Sequence, residues 1–283
     1  MNKRRLDIEL TLRGLAESRE KAQALIMSGA VYVGGQKAAK ASQTIVPGEE
    51  LTVRTSQHPY VSRGALKLTK ALHAFSLDVR GAVAVDIGAS SGGFTEVLLQ
   101  NGARKVYAVD VGYGQLDWKL RTDPRVVVLE RTNARYLTPQ IFTDPPTLAV
   151  MDVSFISILK ILPALLAVLG ESGRCAALIK PQFEAGRARV GKKGVVRDPA
   201  VHRAVLAGIV TGVSALGWHC RALDYSPITG PEGNIEFWAD LWPGSLAAAE
   251  AKPAWQAWPE RIERTVEAAH DALHAGSFRT MHG

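Results

Sequence analysis

Five short apolar runs occupy the middle of the chain: AVAVDI from residue 82, KVYAVD from 105, RVVVLE from 125, TLAVMDV from 147 and CAALIK from 175. Stretches of helical pattern separate them, the first being FTEVLLQNG from residue 94. Runs this short and this apolar are buried on both faces, so the alternation predicts a mostly parallel sheet covered by helices, an α/β fold of Rossmann-like type. Such sheets bind ligands beyond the carboxyl ends of their strands. Each run here ends in, or leads straight into, a polar or charged residue: Asp86, Asp110, Glu130, Asp152 and Lys180. The chemistry is therefore expected along one edge.

The first of these ends is the richest. In VDIGASSGG, Asp86 is followed by Gly88, Ser90, Gly92 and Gly93, a turn between strand and helix that lets a ligand approach the backbone closely. Ser90 stands where the second glycine of G-x-G-x-x-G would be, and a tight turn without a ligand would read the same way. Asp110, at the next strand end, has the spacing of an acid that grips ribose hydroxyls, which points to an adenosine cofactor. An acid two residues before the first glycine suits the ammonium and sulfonium of S-adenosylmethionine better than the pyrophosphate of NAD. Phe94, which opens the following helix, is counted with the cofactor residues, as are Asn133 and Asp152. Asn133 can offer its amide to adenine or serve a local turn.

Ahead of this region lies a smaller unit, residues 1–55. Leu6, Leu10 and Leu15 mark one short helix, and Ser18 caps a second that carries Ala22, Leu25 and Ile26 and closes at Gly29. VYVGGQ and the later LTV at 51–53 read as strands. Arg4, Arg5, Arg13, Arg19 and Lys21 fall on or beside the helix pair, where they form either a solvated face or a surface for phosphates. The net charge of +7 favours an anionic partner. A polar stretch at 56–62 is the expected linker, with Ser62 capping a helix through GALKLTKALHAF and residues 63–283 forming the second domain. Ala65, Leu68, Leu72 and Phe75 make that helix's apolar stripe, and Lys67 lies off it, as a solvent-facing lysine would.

Past Lys180, GRARVGKKGVVRDP sets Arg187, Arg189, Lys192, Lys193 and Arg197 among glycines, which reads either as a loop that closes over RNA phosphates or as a disordered surface loop. Tyr113 can stack on a base or pack on the sheet. The final residues read as an amphipathic helix with Ile262, Val266, Ala269 and Leu273 packing on the domain. No signal peptide or membrane span is legible, and the most apolar run is broken by Lys160 and Pro163. Two cysteines, Cys175 and Cys220, give neither a disulfide framework nor metal-ligand spacing, so a cytoplasmic protein without a metal is expected.

To methylate a hydroxyl, an enzyme must remove a weakly acidic proton, and a lysine does this only when neutral. Asp152 and Lys180 end strands expected beside the cofactor strand, with Lys67 as a second cation able to tune Lys180. A plain buried ion pair between Asp152 and Lys180 is the structural alternative. Glu236, in GPEGNIEFWADLW, is expected in a late strand and alone would be an ordinary strand-face charge.

Two resemblances sharpen this reading. RLDIELTLRGLAESREKAQALIMSGAVYVGGQ resembles the RNA-binding domain named after ribosomal protein S-four, over Arg5 to Val53. Nearly the whole chain closely resembles the TlyA family of rRNA 2′-O-methyltransferases, whose catalytic domain is of FtsJ type. VSRGALKL, ASSGGFTEVLLQ, DVSFIS, IKPQFEAG, GVVRDP and GPEGNIEF carry the likeness. The family's Lys-Asp-Lys-Glu tetrad falls on Lys67, Asp152, Lys180 and Glu236, which implies Lys180 as the group nearest the reacting hydroxyl. It also implies a cytidine in ribosomal RNA, met within a ribosomal subunit; Arg63 is counted with the RNA-contacting residues. Some relatives carry Arg and Trp between the domains, where this chain has SQHPYV. A haemolysin-like membrane activity, a name the family has also carried, and a non-catalytic RNA chaperone are the rival expectations.

Overall fold

The computed structural model describes residues 3–27, 30–53, 60–244 and 257–275, and the chain divides into two units, Met1–Pro59 and Tyr60–Gly283. In the first, β1 (Arg4–Arg5) leads into α1 (Leu6–Leu12), followed by α2 (Arg19–Met27). Then come β2 (Val31–Val33), β3 (Gln36–Lys37), β4 (Thr44–Ile45) and β5 (Leu51–Val53). A three-stranded antiparallel sheet, β3-β2-β5, stands beside the β1-β4 pair. Leu6, Leu10, Ala22, Ile26, Val31 and Ile45 form its core. Leu15 is not on the first helix as expected: α1 stops at Leu12, and Gly14, at φ +68°, turns the chain away. Ser18 Oγ accepts the Lys21 N–H, as a helix cap should. Gly29 lies outside the described residues.

The second unit is built on a seven-stranded sheet. After α3 (Gly64–Ala74) the chain forms β6 (Val83–Ile87), α4 (Gly93–Gln100), β7 (Lys105–Val109), α5 (Trp118–Arg121) and β8 (Val126–Leu129). Next are β9 (Leu148–Met151), α6 (Leu162–Leu169), β10 (Arg174–Ile179) and α7 (Pro181–Glu184). The last elements are α8 (Pro199–Ala215), β11 (Trp218–Tyr225), β12 (Phe237–Pro243) and α9 (Trp258–Ala275). Sheet order is β11-β12-β10-β9-β6-β7-β8. The last five strands of that order are parallel, and β12 and β11 extend them in antiparallel sense.

Alternation along β6 supplies both faces: Val83, Val85 and Ile87 join one apolar core and Ala84 the other. The second face is covered by α3 and α4, and the first takes side chains of α6, α8 and α9, including Trp258, Ile262, Val266 and Ala269. Four expectations change. Lys180 follows β10, which is separated by β9 from β6, the strand it was expected to adjoin. Glu236 immediately precedes β12 instead of lying in it. Arg63, not Ser62, occupies the cap of α3, and no side chain bonds there. Tyr60 and Val61, expected in the linker, pack on the second unit, where the Val61 N–H donates to Glu96.

Candidate active site

Strand β6 runs one residue past Asp86, so this carboxyl is drawn inside the sheet and is fully buried. One of its oxygens accepts the Thr95 hydroxyl from α4 at 2.7 Å; the other, Oδ1, has no partner. Burial, reinforced by the charges of Asp152 and Asp110 and opposed by Thr95, pushes the Asp86 carboxyl up to about 7.

The loop that follows needs its glycines for different reasons. Gly88 sits at φ +86°, and a Cβ there would lie 2.3 Å from the Asp152 carbonyl oxygen, because β6 and β9 are neighbours. Gly93 lets α4 approach α3, since a Cβ would meet Ser62 Oγ at 2.2 Å. Ser90, though not glycine, also has positive φ, and Gly92 caps α4 in the left-handed region. The Asp110 carboxylate knits the loop: Ser90 N–H donates to one oxygen at 2.8 Å and Gly112 N–H to the other at 2.7 Å. Gly93 and Phe94 open α4, whose first-turn amides lack helical acceptors, that of Thr95 bonding Asp86. The Phe94 ring itself is buried against Trp238, at 5.6 Å between centroids, so only its backbone is on offer to a ligand. Asn133 accepts the Arg135 N–H, the local turn role. Val111, exposed beside Asp110, is an apolar surface that sequence reasoning missed.

Four charged groups from four elements meet next to this loop. Lys67 Nζ lies 2.6 Å from Glu236 Oε2 and 3.6 Å from Asp152 Oδ2. Lys180 Nζ is 2.5 Å from Asp152 Oδ1, an ion pair without hydrogen-bond alignment, and donates to Ser154 Oγ at 3.0 Å. Lys67 is not solvent-facing. It is 5% exposed because the buried face of α3 is wide enough to include it with Leu68 and with Ala71, one turn on. Burial raises the Glu236 carboxyl above its ordinary range, opposed by Lys67 and reinforced by Asp152. The result is a chain of alternating charges, Glu236, Lys67, Asp152, Lys180, whose last nitrogen reaches the rim.

The rim carries residues no periodicity announced. Phe155 is 91% exposed at φ +65°, with its ring 5.0 Å from that of Phe183. Ser154 holds Lys180, and Glu184 accepts the Ile158 N–H, tying the segment after β9 to α7. Ser154, Phe155, Lys180, Phe183 and Glu184 lie inside DVSFIS and IKPQFEAG, so the motifs were visible while the roles were not.

The basic residues are placed as follows. Asp7, fully buried, accepts from Arg5, Arg19 and Gln23, and Glu9 accepts from Arg4 and Arg13; Lys21 is exposed. In the second unit Arg63 donates to the Thr229 carbonyl. The segment 186–197 is ordered into two short turns, with Arg187, Arg189, Lys193 and Arg197 exposed; the Lys192 side chain is outside the described set. Asn234 pins that segment by accepting from Val196 N–H and donating to the Gly194 carbonyl. Tyr113 is exposed beneath the Arg131 guanidinium, 4.3 Å from the ring centre.

Residues 60–241 match the FtsJ-like methyltransferase family and residues 4–51 the S4 domain. The chain is 52% identical over 273 residues to YqxC of Bacillus subtilis, covering 96% of this chain and 95% of that one. It is 48% identical over 239 residues to the 16S/23S rRNA (cytidine-2'-O)-methyltransferase TlyA of Mycobacterium tuberculosis, covering 84% and 88%. A solved chain from Streptococcus thermophilus that carries a hemolysin name superposes with a TM-score of 0.74 at 43% identity, covering 98% of this chain and 99% of that one.

Proposed function

This chain belongs to the TlyA family of FtsJ-like methyltransferases, and from that premise we propose that it methylates the ribose 2′-hydroxyl of a cytidine in ribosomal RNA, within a ribosomal subunit. The observation that supports this most is the convergence of Lys67, Asp152, Lys180 and Glu236 beside the glycine loop. S-adenosylmethionine supplies the electrophilic methyl group on a positively charged sulfur. The residues fit it: Asp86 has an orphaned buried oxygen, Gly88, Gly92 and Gly93 let the loop pack closely on Asp152, Leu120 and Ser62 at the strand end, and each Asp110 oxygen accepts only one amide, leaving acceptor capacity for ribose hydroxyls. Val111 and Asn133 would lie toward adenine.

Lys180 is the group that takes the hydroxyl proton, and it does so as a neutral amine. Asp152 and Ser154 hold its nitrogen in place for the substrate oxygen. Lys67 bridges Asp152 and Glu236 and so holds the carboxylate that orients Lys180. Holding the ribose oxygen in line with the donor methyl supplies much of the rate. Phe155 offers a flat apolar face for a nucleobase at this rim. Arg4, Arg5, Arg13, Arg19 and Lys21 of the S4 domain, with Arg63, Arg187, Arg189, Lys192 and Lys193, meet phosphates and read shape more than sequence. Among the described residues no group of side chains could hold a metal ion and no helix is long and apolar enough to cross a membrane.

The test is to incubate undermodified ribosomal subunits with methyl-labelled donor and map the product by resistance to alkaline cleavage. Label on a ribose oxygen is expected; label confined to a base, or none at all, would end the proposal. Lipid vesicles mixed with the protein should not leak.

A further inference from the structure

We propose that Asp86 is a charge sensor for the methyl donor: it holds a proton in the free protein and releases it when a cationic sulfur centre enters the cleft, so that donor and neutral thioether product are distinguished. The inference rests on the reading of this cleft as a site for S-adenosylmethionine.

The surroundings of Asp86 are unlike those of the other carboxylates at this edge. Asp110 is held by two backbone amides and Asp152 by two lysines. Asp86 has only the Thr95 side chain and backbone from α4. Its second oxygen is buried with no partner, and among the described residues no basic side chain pairs with it. The charged groups facing it are Asp110 after β7 and Asp152 after β9, both of its own sign. The two cations of this edge, Lys67 and Lys180, are engaged by Asp152 and Glu236.

A carboxyl without counter-charge, fully desolvated and beside two other acids, is stabilised in its neutral form. Its burial and neighbours place its titration at about 7, within reach of physiological conditions. Arrival of a sulfonium brings one positive charge to the region. The O–H bond of Asp86 then breaks, its electron pair stays on the carboxylate oxygen, and the proton leaves to solvent, so one positive charge replaces another. After methyl transfer the sulfur is neutral, and the proton returns to Asp86. S-adenosylhomocysteine, which lacks only the methyl and its charge, should not drive this exchange.

Titration calorimetry on the full chain, in buffers of different ionisation heat, measures the protons released. At pH 7 S-adenosylmethionine should release about half a proton and S-adenosylhomocysteine almost none. Donor affinity should weaken by up to about tenfold per pH unit below 7, while product affinity stays nearly level. In Asp86→Asn both the proton release and the pH dependence of donor binding should vanish. The wild-type comparison of two ligands needs no variant, so a poorly folding Asp86→Asn leaves the test standing. Equal proton release with both ligands, or none while both bind, overturns the inference and spares the cofactor reading. Binding of neither ligand at millimolar concentration would overturn both.

Discussion

Lys67 and Glu236, separated by 169 positions in the chain, meet through a 2.6 Å contact between Nζ and Oε2, with both side chains almost wholly buried. Each charge compensates the other, and Lys67 has a second carboxylate, Asp152, at 3.6 Å. The pair joins α3, which precedes the sheet, to the start of β12, its antiparallel extension, and so fixes the geometry of the rim from behind.

Lys67→Met should therefore strand a buried carboxylate and destabilise the second unit by about 3–5 kcal/mol, whereas Lys67→Met combined with Glu236→Leu should recover most of the loss. Glu236 already titrates above its ordinary range, so its folded form takes up a proton more readily than its unfolded form. The sign follows: the single variant should be less impaired at pH 5 than at pH 8. Denaturant midpoints at both values check this.

Lys180→Ala should reduce methyl transfer by about 10²–10⁴-fold, the usual worth of a general base, with rRNA affinity little changed. Asp152 keeps Lys67 as a partner in that variant, so the melting temperature should hold. Single-turnover methylation and filter binding measure the two halves; wild-type turnover would require a different base.

Phe155→Ala removes an exposed ring and should leave the fold and donor binding intact. If the ring stacks on a base at the rim, methylation of rRNA should fall by about 10-fold or more, corresponding to about 1–3 kcal/mol. A variant as active as wild type would remove Phe155 from the substrate site.

Gly88→Ala places a Cβ 2.3 Å from the Asp152 carbonyl oxygen in a backbone conformation that disfavours side chains. Relief requires β6 and β9 to part at the edge where Asp152 is held. Loss of donor binding by calorimetry is expected, along with a lowered melting temperature.

Asp7 gives the first unit its acid sensitivity. Arg5 holds its carboxyl far below the ordinary range, helped by Gln23 and Arg19. Because the unfolded state binds the proton more tightly, the stabilisation is full above about pH 4, declines below it, and is lost only when the folded carboxyl itself takes up a proton, far below the ordinary range. Asp7→Asn should lower the melting temperature of this unit at pH 7 and, by a smaller margin, still at pH 3, because the folded carboxylate keeps its charge there. The same change frees Arg5 and Arg19 from their anchor and should weaken RNA binding.

Much of the sheet could be read in advance because β6, β7, β8, β9 and β10 are apolar on both faces, a pattern few other folds tolerate. Helix ends were less legible. Leu15 continues an apolar spacing that α1 abandons at Gly14, and Ser62, a natural cap, stands one residue before the cap position while its hydroxyl crowds Gly93. Lys67 was legible only by resemblance, since its burial depends on α3 being covered on more than its apolar stripe.

Local residue order thus determined the strands, the glycine turn and the acid or base closing each run, because periodicity and turn chemistry act over a few neighbours. Only the tertiary structure decided that Asp152 would stand between two lysines, that Asp86 would be buried with one oxygen unpartnered, and that Ser154 would hold Lys180. Those relations depend on strand order and on the depth at which each strand ends, which are set by how helices cover the sheet and leave no trace in the spacing of residues along the chain.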